Sequence, residues 1–208
     1  MFIEDKSVTK KKNILLQVGM PLFKNLEDFI YYKKIFPENL ISDILSEYKD
    51  LSFDRDSHHN KISRYLGALD ITSLSLINSK NSYVRQKIYV QINEQIQVLI
   101  KEYSELIYPY NLPIIEATPC SLRQMKEGDY YKEHDDDGVG INTGSHKITV
   151  SICLNDNYEG GEFTFFQESL SFRLKKGDVL MFPSSFQYPH GVKKITKGTR
   201  YQLVLWLR

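Results

Sequence analysis

Hydrophobic residues follow two different rhythms along this chain. Before about residue 113 they recur with a helical period. Leu40, Ile41, Ile44, Leu45 and Tyr48 lie on one stripe directly after Pro37-Glu38, a helix start signal. Ile88, Ile92, Ile96, Leu99, Ile100, Tyr103 and Leu106 form a second, longer stripe over residues 84–107, which Pro109 and Pro113 bring to an end. Stripes of this kind bury against a core. Between them, residues 52–82 hold polar loops around Asp54 to Asn60 and Asn78 to Ser82.

From about Ile114 the rhythm changes to short apolar runs separated by turn residues. Residues 148–154, 163–166, 170–174, 179–182 and 201–207 read as strands. Gly160-Gly161, Lys176-Gly177-Asp178 and Lys197-Gly198 punctuate them as turns. Many short strands at close spacing predict a sandwich or barrel, the jelly roll among them. The fold expected is therefore α+β and mainly β. Residues 1–113 read as an N-terminal tail and helical support packed on one sheet. Residues 114–208 read as the β core of the same integrated domain.

Composition narrows the function classes more than the fold. With 208 residues, 41% hydrophobic and 25% charged, the chain has material for a real core. Its 14 Tyr and 11 Phe suit pleated surfaces. A net charge of +1 gives no electrostatic case for a nucleic-acid partner. The basic run Lys10-Lys11-Lys12 reads as a solvated tail. Cys120 and Cys153 make no disulfide framework and read as small buried hydrophobes. Residues 1–13 lack the apolar core of a secretory signal, and no apolar run approaches the roughly 20 residues that span a bilayer. No membrane partner is expected, and the cytoplasm is the default location.

Candidate chemistry begins at Tyr130-Tyr-Lys-Glu-His-Asp-Asp-Asp-Gly138. On an extended strand His134 and Asp136 share a face, while Asp135 and Asp137 point to the other. An imidazole and a carboxylate so placed can hold a divalent metal if a distant strand adds a third ligand. Four other histidines compete for that role: His58, His59, His146 and His190. His58 and His59 read as exposed in a polar loop. His146 lies in a loop flanked by Gly and Ser. His190 follows a turn-like stretch, Phe182-Pro-Ser-Ser-Phe-Gln-Tyr-Pro189, and Arg200 opens the last strand. A buried guanidinium can grip a carboxylate through two parallel hydrogen bonds.

Taken in order, several segments resemble those of the 2-oxoglutarate and Fe(II)-dependent dioxygenases, in the prolyl 4-hydroxylase-like branch. Gly128-Asp-Tyr-Tyr131 resembles the G-x-x-Y that precedes H-x-D, here His134-Asp135-Asp136. Leu154-Asn155-Asp156 and Tyr158-Glu-Gly-Gly-Glu-Phe163 resemble its L-N-D and Y-x-G-G-E segments. Gly177-Asp-Val-Leu-Met-Phe-Pro-Ser-Ser185 resembles G-D-x-x-x-F-P-S-S. His190 and Arg200 match the distal histidine and the cosubstrate-binding basic residue. Around Phe182 to Arg200 the bacterial PKHD-type hydroxylases look most similar.

The resemblance implies a double-stranded β-helix, with Fe(II) held by His134, Asp136 and His190 and the far carboxylate of 2-oxoglutarate paired with Arg200. It implies consumption of O₂, release of succinate and CO₂, and hydroxylation of a C–H bond in an amino acid, free or within a peptide or protein. Two other readings stand beside it: the same machinery acting on a nucleobase or small metabolite, and a cupin-like metal module without oxygenase activity. The chain departs from the family at Met125, where many relatives carry a Tyr that contacts 2-oxoglutarate. Gln124 or Gln202 would compensate. Tyr131 is the candidate substrate contact, and residues 54–82 and 138–147 are candidate lids. Oligomeric state and the substrate's identity are not encoded in any motif.

Overall fold

The structure, a computed structural model, describes residues 25–55, 63–64, 67–73, 77–78, 81–108, 113–114, 116–137 and 145–208. The loop histidines His58 and His59, the Lys10 to Lys12 run and the lid candidate 138–144 lie outside the described residues.

Both helical stripes form helices. Helix α1 spans Glu38–Tyr48, beginning at the Pro37-Glu38 signal, and α2 spans Ser82–Leu106. They are tied by Arg85, whose Nε lies 2.6 Å from Glu47 Oε1. Their buried residues, Leu40, Ile41 and Ile44 on α1 and Ile88, Ile92 and Leu99 on α2, belong to one apolar cluster. Leu122, Val150, Ile152, Val179, Leu203 and Leu205 of the strands belong to it too.

The strands make two larger antiparallel sheets. In the seven-stranded sheet the order is β1 (Tyr31–Lys34), β11 (Asp178–Pro183), β7 (Ile148–Cys153), β14 (Thr199–Leu207), β5 (Ser121–Lys126), β4 (Gly67–Asp70) and β2 (Asp54–Arg55). In the five-stranded sheet it is β10 (Leu170–Phe172), β9 (Phe163–Phe165), β12 (His190–Val192), β6 (Tyr130–His134) and β3 (Ser63–Arg64). A small pair, β8 (Glu159–Gly160) with β13 (Ile195–Lys197), closes one end. The chain thus forms the jelly roll expected, with one addition. The first half was read as helical support, yet β1 to β4 add strands to both sheets, three of them at the edges and β4 beside one. Tyr31-Tyr-Lys-Lys34 has one buried residue and three exposed ones, so it carries no alternation that would announce a strand.

The seven-stranded sheet has two unlike faces because side chains alternate along each strand. Ile148, Val150 and Ile152 of β7 and Leu203, Leu205 and Leu207 of β14 face the helices. Cys153, Leu180, Phe182 and Met125 face the five-stranded sheet, where they meet Phe163, Phe165 and Val192 in a second cluster. The metal-ligand candidates lie between the sheets, at the edge of that second cluster.

Candidate metal centre

Register places the two histidines. In the five-stranded sheet β12 pairs with β6 so that His190 stands opposite His134. The approach is close enough to require a glycine next door: a Cβ on Gly191 would lie 2.8 Å from the Tyr131 carbonyl oxygen and 3.2 Å from the Glu133 nitrogen. Both of these neighbours are backbone, which cannot swing aside as a side chain would.

Asp136 lies two residues beyond the end of β6, so strand parity is not what aims it. Its own N–H donates to the Ser184 carbonyl at 3.1 Å, which fixes the turn. Its carboxylate then points at both imidazoles, Oδ1 lying 3.3 Å from His134 Nε2 and Oδ2 3.3 Å from His190 Nε2. Thr149 Oγ1 donates to Oδ2 at 2.8 Å and in turn accepts from Ser184 Oγ at 2.9 Å, since a hydroxyl has one proton to give. Asp135 and Asp137 are exposed, and Asp135 Oδ1 accepts from the Asp137 N–H.

Tautomers follow from the other ring nitrogens. His134 Nδ1 lies 2.8 Å from the Lys132 carbonyl and His190 Nδ1 lies 3.1 Å from the Tyr188 carbonyl. A carbonyl only accepts, so each Nδ1 carries a proton and each Nε2 is the ring atom that can offer a lone pair to a metal. One ligand atom from each of His134, Asp136 and His190 lies within 4.8 Å of the others. Burial alone would raise the Asp136 carboxyl, but in the metal-free protein hydrogen bonds and charge from His134 and His190, whose Nε2 atoms then carry protons that a bound metal would displace, outweigh it and hold the group below the carboxylate range. His190 is walled by aromatic rings, stacked on Phe163 at 5.4 Å and edge-on to Phe182 at 4.6 Å. Two neutral imidazoles and one carboxylate on one side of a dry wall fit a divalent transition metal with open positions.

A cavity opens beside these ligands, lined also by Arg123, Met125, Tyr131, Gln202 and Trp206. Tyr131 packs against His134 with ring centroids 4.2 Å apart. Gln202 faces the cavity with its Oε1 buried and without a partner. Gln124 does not join them. Neighbouring Met125 and Arg123 face the cavity, so strand alternation turns Gln124 to the helix side, where its Nε2 donates to Tyr201 Oη at 3.0 Å. It therefore cannot stand in for the missing tyrosine. Arg200 is 0% exposed and lies opposite Met125 across the β14–β5 pair, with Nη1 3.4 Å from Met125 Sδ. Its Nε and Nη2 have no hydrogen-bond partner. A guanidinium buried with two idle donors is costly unless an anion reaches it. The residue fits the far carboxylate of a small dicarboxylate. His146 is not among the residues whose ligand atoms converge; its Nδ1 donates to the Asp136 carbonyl at 2.9 Å and its ring stacks on Trp206.

Residues 120–208 match the model of the 2OG-Fe(II) oxygenase superfamily. That segment holds all three ligand candidates and Arg200. A PKHD-type hydroxylase of Idiomarina loihiensis is 34% identical to this chain over 97 residues, covering 45% of this chain and 43% of the relative. Human prolyl 3-hydroxylase 2 is 41% identical over 60 residues, covering 26% of this chain and 8% of that protein. The chain thus spans less than half the length of either relative. Among solved structures, a Trichoplax adhaerens prolyl hydroxylase in complex with a hypoxia inducible factor oxygen degradation domain peptide fragment aligns at TM-score 0.64 and 18% identity, covering 99% of this chain and 93% of that one. A Pseudomonas putida prolyl-4-hydroxylase aligns at TM-score 0.60 and 15% identity, covering 86% and 91%. These structures share the fold of the oxygenase-type segment. Among the described residues no helix is long and apolar enough to cross a membrane.

Thr149, Ser184, Arg123 and Trp206 were not singled out by the sequence. The usable signal was alternation within apolar strands. Thr149 and Ser151 interrupt β7 at every second position, and Arg200, Gln202 and Trp206 do the same on β14.

Proposed function

We propose that this chain is a 2-oxoglutarate- and Fe(II)-dependent oxygenase that hydroxylates an unactivated C–H bond of an amino acid, free or within a peptide. The observation that carries the reading is Arg200, a buried cation with idle donors on the strand pair that also lines the metal site. A module that only binds metal has no use for it.

His134, Asp136 and His190 would hold the iron, and Arg200 the far carboxylate of the cosubstrate. Bound Fe(II) with 2-oxoglutarate and O₂ supplies a two-electron oxidation of C–H to C–OH, with release of succinate and CO₂. The chain's own part is positional. The Lys132 and Tyr188 carbonyls keep each imidazole proton on Nδ1, away from the metal side. Thr149 and Ser184 hold the Asp136 carboxylate in its aim. Phe163, Phe165 and Phe182 exclude water around His190. For Arg200 to meet a ligand, Met125 must yield, and an unbranched thioether does so more readily than a ring.

A peptidyl substrate is supported by the Trichoplax structure, which holds a peptide fragment on the same fold. A reducing compartment such as the cytoplasm suits two free thiols and ferrous iron alike. The reading is tested by incubating the protein with Fe(II), 2-oxoglutarate and a panel of free amino acids and peptides under air. Succinate release matched by gain of one oxygen in a panel member is expected. Protein that binds Fe(II) but neither binds nor consumes 2-oxoglutarate would instead be a bare metal module.

A further inference from the structure

Arg200 is not alone on the inner face of the β5–β14 pair. Arg123 stands two positions away on β5, opposite Gln202, and lines the metal cavity. Its Nε is buried without a hydrogen-bond partner, and no acidic side chain pairs with it among the described residues. The buried Arg85, by contrast, is matched by Glu47 at 2.6 Å. Arg123 is half-buried, and a guanidinium that gives up part of its water without receiving an anion bears part of that cost. That cost is tolerated where the anion arrives with a ligand.

The two arginines are placed differently: Arg123 lines the cavity, whereas Arg200 does not. Arg200 lies behind Met125. The guanidinium carbon of Arg123 sits 5.4 Å from the centroid of the Trp206 ring. Trp206 stands opposite Thr149 in register, and Thr149 holds Asp136, so Arg123 is held toward the metal. The aromatic face fixes its fork and leaves the donors free. A 2-oxoglutarate bound through its 2-oxo acid end has one carboxylate left, and Arg200 accounts for it. Arg123 therefore needs an anion of its own.

We infer that Arg123 is the anion anchor for the substrate, and that the molecule oxidised carries a carboxylate near the reacting carbon. Ser151 Oγ, buried and unpartnered in the same cavity, can donate to such a carboxylate, and the buried Gln202 Oε1 can accept from an N–H beside it. The inference rests on the oxygenase reading above and narrows its substrate class.

Trp206 is the chain's single tryptophan, so its fluorescence reports on this corner of the cavity alone. The experiment titrates N-acetyl amino acids and their matching carboxamides into wild-type protein loaded with Fe(II) and 2-oxoglutarate without oxygen. Trp206 emission is followed along with the visible band of the iron–cosubstrate complex. At least one carboxylate should bind about tenfold or more tightly than its carboxamide, the discrimination of one charge-assisted hydrogen-bond pair. Arg123→Gln should erase that preference, and Arg123→Lys should restore part of it, with the visible band intact in both. Equal response to both members of every pair, or no response to any, overturns the inference. So does loss of the band in Arg123→Gln, which would make Arg123 the cosubstrate's anchor. Absence of the band from wild-type protein overturns the oxygenase reading first, and the inference with it.

Discussion

The two faces of β14 obey opposite rules. Toward the helices it presents Leu203, Leu205 and Leu207, all buried in the larger apolar cluster. Toward the five-stranded sheet it presents Arg200, Gln202, Val204 and Trp206, and three of these four have buried polar atoms without partners. Both faces belong to one strand with one backbone environment. The difference lies in what each face awaits. The outer face is complete as folded, whereas the inner face is complete only with a ligand. Unsatisfied polar groups cost stability wherever they are buried. Their gathering on one face of β14 and its neighbour β5 therefore marks function more sharply than any single residue does.

Substitutions on the two faces should separate stability from binding. The largest effect belongs to Asp136→Ala, which removes the only anionic ligand of the site. Fe(II) binding, read by equilibrium dialysis, should be abolished while the protein stays folded. Retained iron binding would assign the carboxylate to Asp135 or Asp137. On the outer face, Leu205→Ala should cost about 3 kcal/mol in denaturant unfolding, the usual toll of a buried leucine cavity. Affinity for iron and 2-oxoglutarate should stay near wild type; parallel loss of both would mean the two faces are not independent. Arg200→Ala should raise the 2-oxoglutarate requirement about a hundredfold, in the range of a bidentate charged contact. Its iron requirement should hardly move, and equal effects on both would give Arg200 a structural role. The smallest effect concerns the thiols. Burial pushes Cys120 up to about 12 and raises Cys153 as well. A thiol whose folded value is raised is neutral, and so unreactive, throughout the neutral range. Neither cysteine should label with iodoacetamide near pH 7 until the chain is unfolded.

Much of this asymmetry was written in the chain, but in different signals. The helices were legible because seven apolar residues of α2 share one stripe. The central strands β7, β11 and β14 were legible because they are long and apolar. The short outer strands β1 to β4 were not, since two to four residues are too few to hold a period. The ligand set came from the His-x-Asp pair and the ordered motifs that lead to His190. Strand parity favoured Asp136, yet the structure aims it by other means, the Ser184 carbonyl and the Thr149 hydroxyl. Those partners come from β7 and the end of β11, far away in sequence, so no local pattern could show them. Gln124 turns away from the cavity for a related reason. Its neighbour Met125 faces the cavity, and one step along a strand reverses the direction of a side chain.

On the reading proposed above, His134, Asp136, His190 and Arg200 together make one site for Fe(II) and 2-oxoglutarate. The most direct measurement adds both to the purified protein without oxygen and records the visible spectrum. A charge-transfer band that needs both components, and that disappears in Asp136→Ala, is the predicted result. Iron binding with no band at saturating 2-oxoglutarate would contradict the account, leaving a metal site beside an unexplained buried arginine.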